Sequence, residues 1–293
     1  MQHLSANVNG ITLHCVSEGA GKLILFLHGF PEFWYAWKAQ LEEFGRDHQA
    51  VAPDLRGFNL SSKPADAAQY KTRVLIEDVR ALIEHLGHRH CILVAHDWGG
   101  ALAWGLAAVC PEYVEKLVII NSPHPAAFAR ELLHNPQQQA ASEYMNLFRT
   151  EAAEKVLAAD NFARLFEAHH AWGGDAWMAE EERAMYLHAW SQPGALTGGL
   201  NYYRATPLHP PQSAADREAL AAIAAAAARF TVAAPTLIIW GERDSALLPG
   251  LLDGLAEYVP QLTIQRIPDA THWVVHEKPD EVNQLIRDFI GDH

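Results

Sequence analysis

Val94-Ala95-His96-Asp97-Trp98-Gly99-Gly100 lies between an apolar run, Cys91-Ile92-Leu93-Val94, and a small-residue stretch, Ala101-Leu102-Ala103-Trp104-Gly105-Leu106-Ala107-Ala108. The first run has the length of a buried strand and the second reads as a closely packed helix. A strand, a sharp turn and a helix, with one reactive side chain at the turn, make a nucleophile elbow. Such a turn is crowded, so the residues two before and two after the reactive one are small; here they are Ala95 and Gly99. The residue at the turn is Asp97, whose carboxylate attacks carbon and leaves an ester that water must cleave. Taken in isolation, an Asp at a helix start is first of all an N-cap. The rest of the chain decides against that.

Composition narrows the possibilities. The chain has 293 residues, 49% hydrophobic and 19% charged, which suits one large domain with an insertion. Its net charge of −13 and the lack of a basic run argue against nucleic acid as a partner. The cysteines Cys15, Cys91 and Cys110 are odd in number and sparse, which suggests buried thiols in a reducing, cytoplasmic setting. The segment Met1 to Asn7 shows neither a basic n-region nor an apolar core, and no run has the length of a membrane span.

Alternating strands and helices surround the elbow. A strand over residues 10–17 follows an Asn9-Gly10 turn, and the apolar run to Leu27 is a strand buried on both faces. Gln49 to Pro53, Val114 to Ile120, Thr236 to Trp240 and Leu262 to Ile267 read as further strands. Leu75, Val79, Leu82, Ile83 and Leu86 share a helical face that Gly87 ends, and Pro279 opens a last amphipathic helix. This pattern predicts an α/β fold with a mostly parallel, doubly wound sheet, whose site lies at the C-terminal strand ends. Between residues 125 and 230 the pattern becomes helical and rich in aromatics. We therefore expect a core of residues 1–124 and 231–293 and a helical cap of residues 125–230. The pairs Gly173-Gly174 and Gly198-Gly199 are expected to break cap helices. His85, His88 and His90 gather near a helix end, but no Cys or carboxylate completes a metal-ligand spacing there.

Asp97, Asp244 and His272 fall at successive strand ends in the order nucleophile, acid, base. Each alone is a common turn or loop residue; together they form a catalytic constellation. His272 is expected to be neutral near pH 7, as an unperturbed imidazole is.

With these motifs in view, the chain resembles the α/β-hydrolase superfamily and, within it, the soluble epoxide hydrolases. The resemblance runs over nearly the whole chain. It is carried by His28-Gly29-Phe30-Pro31-Glu32-Phe33-Trp34, Asp54-Leu55-Arg56-Gly57, His96-Asp97-Trp98-Gly99-Gly100, Asn121-Ser122-Pro123-His124-Pro125, Leu200-Asn201-Tyr202-Tyr203-Arg204, Trp240-Gly241-Glu242-Arg243-Asp244 and His272-Trp273. It departs at Ala95 and at Asn59, where the family has Gly; Asn best tolerates a left-handed backbone.

The resemblance implies an α/β-hydrolase fold and a hydrolase that opens an epoxide to a vicinal diol. Asp97 is the implied nucleophile, His272 the base that activates water and Asp244 its orienting acid. Tyr144 and Tyr203 are the implied cap acids, and the backbone N–H groups of Phe30 and Trp98 the implied oxyanion hole. Phe30, Trp34, Trp98, Tyr202 and Trp172 are candidate pocket residues. The implied partners are a small apolar epoxide and water, acted on by a monomer or homodimer without metal or organic cofactor.

Two other functions share parts of this pattern. A haloalkane or fluoroacetate dehalogenase uses the same triad, but Phe30 stands where haloalkane dehalogenases often have Asn, and residues 99–108 hold no Arg or Lys for a carboxylate substrate. Trp172, Trp177 and Trp190 remain as halide donors in that reading. A non-catalytic binder of small apolar ligands is the third possibility, for which the triad would have no use.

Overall fold

The computed structural model describes residues 1–171 and 177–291. Eight strands form one sheet in the order β1-β2-β4-β3-β5-β6-β7-β8. They are β1 (Gln2–Val8), β2 (Ile11–Glu18), β3 (Leu23–Leu27), β4 (Gln49–Pro53), β5 (Cys91–His96), β6 (Val114–Ile120), β7 (Thr236–Gly241) and β8 (Leu262–Ile267). Pairing is parallel from β4 through β3 and β5 to β8, whereas β1–β2 and β2–β4 are antiparallel. Strands β3 and β5 are buried at every position, which is why both read as unbroken apolar runs.

Strand β1 is absent from the reading of the sequence. Its residues alternate, with Leu4, Ala6 and Val8 turned toward the core and His3, Ser5 and Asn7 outward. It pairs with β2 over seven residues through the two-residue turn Asn9-Gly10, both at positive φ. That is the backbone of a type I′ hairpin turn, so the Asn-Gly signal carries a strand on each side.

The helices α1 (Lys38–Phe44), α2 (Thr72–His85) and α3 (Asp97–Val109) alternate with β3 to β6. After β6 come α4 (Pro125–His134), α5 (Pro136–Ala141), α6 (Tyr144–Phe148), α7 (Ala153–Ala171), α8 (Glu180–Trp190), α9 (Ala195–Ala205) and α10 (Ala214–Ala225). No strand interrupts them among the described residues, and β7 follows. Helix α7 is two pieces meeting at a kink over Ala159, Asp160, Asn161 and Phe162. The chain closes with α11 (Val274–Glu277) and α12 (Pro279–Ile290), which buries Val282, Ile286 and Ile290.

Gly198 and Gly199 do not break a helix; they lie inside α9. A Cβ on Gly198 would stand 2.4 Å from the Gly57 carbonyl oxygen, and one on Gly199 2.8 Å from the Phe30 ring. Their function is close approach of α9 to the loop after β4 and to Phe30, at the cost of about 1 kcal/mol of helix propensity each. Gly173-Gly174 lies outside the described residues. Cys15 and Cys91 are buried free thiols and Cys110 is half-buried, and burial pushes the first two thiols far up from their ordinary range. Among the described residues, no helix is long and apolar enough to cross a membrane.

Arg56, in the loop after β4, and Asp78, on α2, form a buried bidentate pair, with both contacts at 2.7 Å. The Arg56 carbonyl in turn accepts from the Tyr202 hydroxyl at 2.9 Å, tying α9 to the loop after β4. Removing one partner of such a pair leaves a buried charge uncompensated. Arg56→Met should therefore lower stability by about 3–5 kcal/mol, read as an earlier urea midpoint; a shift below about 1 kcal/mol would mean the pair contributes little.

Candidate active site

Asp97 opens α3 with φ at +49°, and His96, in extended conformation, is the residue before the helix. Asp97 is therefore not the N-cap. The turn throws its carboxylate forward, where Oδ1 accepts the Phe30 backbone N–H at 2.8 Å. The Asp97 carbonyl accepts the Ser122 hydroxyl at 2.7 Å. Gly99 is needed for this crossing, since a Cβ there would meet the Leu27 carbonyl oxygen at 2.2 Å. Ala95 lies fully buried inside β5 without hindering it. Asn59, the other departure from the family pattern, sits at φ +39° and donates to Asp54 Oδ2 at 2.9 Å.

The structure brings the three triad residues together. His272 Nδ1 lies 2.7 Å from Asp244 Oδ2, and His272 Nε2 lies 3.8 Å from Asp97 Oδ2. Asp244 is saturated: Oδ1 accepts the N–H groups of Ala246 and Leu247, both at 2.8 Å, and Oδ2 accepts Asn121 Nδ2 at 2.8 Å. These bonds hold it as an acceptor for the imidazole.

His272 departs from the neutral state expected of it. Burial alone would lower its pKa, but the charges of Asp244, Asp97 and Glu32 and the bond to Asp244 outweigh that and raise it to about 9. At neutral pH the unoccupied site therefore holds an imidazolium between two carboxylates. The expectation took the imidazole as unperturbed, whereas the folded chain sets the charges of Asp244, Asp97 and Glu32 around it.

One further carboxylate takes part, and the sequence reading gave it no role. Glu32 is buried and accepts from His276 Nε2 at 2.5 Å, His96 Nδ1 at 3.1 Å and the Tyr186 hydroxyl at 3.3 Å. Burial would raise its pKa, but the two imidazoles hold it well below the usual carboxylate range. His96 Nε2 in turn faces the His272 carbonyl oxygen at 2.9 Å. The signal was present in Pro31-Glu32 and in the His before the elbow, but only the folded chain brings them to His276.

Tyr144 starts α6 and Tyr203 lies on α9, their ring centroids 6.2 Å apart. The Tyr203 hydroxyl has the Tyr144 hydroxyl and the Trp98 indole N–H as hydrogen-bonding neighbours. Burial first, then Asp97 and Asp244 for Tyr144, and Tyr144 followed by Asp97 for Tyr203, push both phenols well above their ordinary pKa, so both keep their protons as donors.

A cavity of about 280 Å3 adjoins Asp97, with Trp98, Ser122, Tyr144 and Tyr203 in its wall. Three expected pocket residues lie elsewhere. The Phe30 ring packs on Phe58, Phe148 and Tyr203, so that only its backbone N–H serves the site. Trp34 packs against His3, Phe33 and Tyr35. Tyr202 turns its hydroxyl to the Arg56 carbonyl, because adjacent helical positions face about 100° apart. Trp172 lies outside the described residues. No Arg or Lys lines the cavity among the described residues, so a carboxylate substrate finds no such partner there. Trp190 gives its indole N–H to the Pro31 carbonyl at 2.6 Å, so it is not a halide donor here.

Comparison with known proteins shows the family. The family described as alpha/beta hydrolase fold matches residues 22–279. The chain is 37% identical over 296 residues to Epoxide hydrolase 3 of Xenopus tropicalis, spanning 97% of this chain and 76% of the frog protein. It is 36% identical to Epoxide hydrolase 4 of Homo sapiens over 299 residues, 97% of this chain and 77% of the human one. A crystal structure of the F128A mutant of an epoxide hydrolase from Bacillus megaterium, complexed with its product (R)-3-[1]naphthyloxy-propane-1,2-diol, superposes with a TM-score of 0.90. That protein is 38% identical, with 99% of this chain and 100% of the other covered.

The raised pKa of His272 has a consequence for stability. A group whose folded pKa exceeds its unfolded value of about 6.5 stabilises the protein fully below that value, and the contribution disappears as pH rises through about 9. The contribution lost is on the order of 3 kcal/mol. Urea unfolding of the wild-type chain between pH 6.5 and 9 should show this decline, and His272→Gln should lack it; parallel slopes would contradict the imidazolium assignment.

Proposed function

The chain belongs to the α/β hydrolase fold family and is an epoxide hydrolase, and we propose that its reaction runs through an ester on Asp97. The observation that carries this mechanism is the pair of protonated phenols, Tyr144 and Tyr203, in the cavity that adjoins a carboxylate nucleophile. An epoxide oxygen leaves as an alkoxide unless an acid donates to it, and a phenol is a suitable donor.

The substrate oxygen accepts hydrogen bonds from the two phenols while Asp97 Oδ2 attacks a ring carbon. Oδ1, bonded to the Phe30 N–H, remains as the ester carbonyl oxygen. One phenol gives its proton to the opening alkoxide, and the tyrosinate recovers a proton from the His272 imidazolium through solvent in the cavity. The imidazole is now neutral, and the loss of the Asp97 charge on esterification favours that state.

Neutral His272 then takes a proton from water, which attacks the Asp97 ester carbon. The charge that develops on Oδ1 is met by the N–H groups of Phe30 and Trp98, the second of which is a free donor of the first helical turn. Collapse expels the second diol oxygen, protonated by His272. The new carboxyl proton returns to the imidazole, restoring the starting charges. One water is consumed and one vicinal diol released.

Each residue has its own readout. Asp97→Ala should abolish diol formation from styrene oxide; activity near wild type would refute the nucleophile assignment. His272→Gln should stop after the first step, so that intact-mass spectrometry shows enzyme plus one substrate mass. Tyr203→Phe should slow ring opening by about a hundredfold, the lower end of general-acid contributions, with Tyr144 still present. Halide release from short haloalkanes that survives the double Tyr→Phe variant would show that the phenols serve packing only.

A further inference from the structure

The cavity next to Asp97 is elongated, and its direction bears on the substrate. Asp97, Ala101, Gly105 and Val109 all line it, each four residues from the last on α3. Residues at that spacing share one helical face, so the cavity runs the length of the helix, about 18 Å. Ala101 leaves space that a larger side chain would fill, while at Gly105 the Ile76 side chain packs against the helix, 2.4 Å from where a Cβ would stand. The facing walls are apolar, with Ile76 of α2, Phe128 of α4 and Ile223 of α10. Val109, at the far end, is 61% exposed, so the channel opens to solvent there.

On the Phe30 side of the nucleophile the described residues leave little room. The Phe30 ring is wedged among Phe58, Phe148 and Tyr203 at centroid distances of 5.0–6.4 Å within that cluster. The space beyond it, toward Trp190 and Leu196, is about 10 Å3, room for no more than about one water. A disubstituted epoxide with two long arms therefore has room for only one. Among the described residues the channel wall has no Arg or Lys, and its one carboxylate is the nucleophile itself.

Building on the epoxide hydrolase reading, we propose that the substrate is a neutral, monosubstituted epoxide whose single long apolar substituent lies along α3 and points out past Val109. The ring sits at Asp97 under the two phenols. Ala101, and Ile76 packed over Gly105, set the width of the channel, and the distance to Val109 sets its length.

The test is a chain-length ladder on the wild-type chain, using the terminal epoxides of propene, hexene and decene and the symmetric internal epoxide of decene. Diol formation gives kcat/KM for each. The expected rise is about fourfold per buried methylene, with the internal isomer about tenfold or more below its terminal counterpart. The epoxide of hexenoic acid should fall below hexene epoxide by a similar factor. Ala101→Phe, one turn from the nucleophile, should compress the decene-to-propene ratio by about tenfold or more. Val109→Phe, at the exposed mouth, should act only on the longest chain. Equal turnover at all lengths, preference for the internal isomer, or equal loss of propene and decene epoxides in Ala101→Phe would overturn the proposal.

Calorimetric binding of the matching vicinal diols separates this proposal from the one it rests on. Absence of turnover with every epoxide would refute the hydrolase reading. Diol affinity that still climbs with chain length would then uphold the channel, and affinity independent of length would overturn it.

Discussion

A non-glycine residue at positive φ is costly to hold, and at Asp97 the whole sheet holds it. Strand β5 lies fully buried between β3 and β6, so the backbone enters the turn on a fixed line. Helix α3 leaves it across Leu27, close enough that Gly99 has no room for a side chain. Ser122, at the end of the next strand, ties down the Asp97 carbonyl. The carboxylate is thereby aimed at the Phe30 N–H and not at its own helix, which is the difference between a nucleophile and a cap.

Charge is the second constraint. Three carboxylates, Asp97, Asp244 and Glu32, lie within one shell around His272, and all three raise its pKa. Each is separately stabilised: Asp97 by a backbone N–H, Asp244 by two N–H groups and Asn121, Glu32 by two imidazoles and a phenol. Buried acids without such partners would be protonated or would unfold the site. That state suits the proposed reaction, in which the imidazolium first supplies a proton and, once Asp97 is esterified, acts as the base.

The helices between β6 and β7 supply what the sheet cannot: two phenols and a dry wall. Burial keeps both tyrosines protonated, and one tyrosine neighbours the indole of Trp98, so the acids and the elbow form one bonded cluster. Glycines at 198 and 199 let α9 approach closely enough for this. Glu32, reached by Tyr186 from α8, ties those helices to the layer beneath the triad.

The linear chain determined much of this. The strand–turn–helix around Asp97 and the order Asp97, Asp244, His272 were legible because they depend on local pattern and on chain order, whereas Tyr144 and Tyr203 stood out only through the resemblance to a family. Strand β1 was also encoded, in a polar–apolar alternation next to Asn9-Gly10, and was overlooked because it lies at the sheet edge with only Ala6 and Val8 buried. Three things were decided only by folding. The protonation of His272 depends on carboxylates 28, 175 and 240 positions away in the chain. The Glu32 network joins residues from four separate segments. The departure of Phe30, Trp34 and Tyr202 from the cavity follows from the rotation of each side chain about its own backbone. Electrostatics and cavity shape act through space, and no local pattern in the chain records which distant groups will share a few ångströms of it.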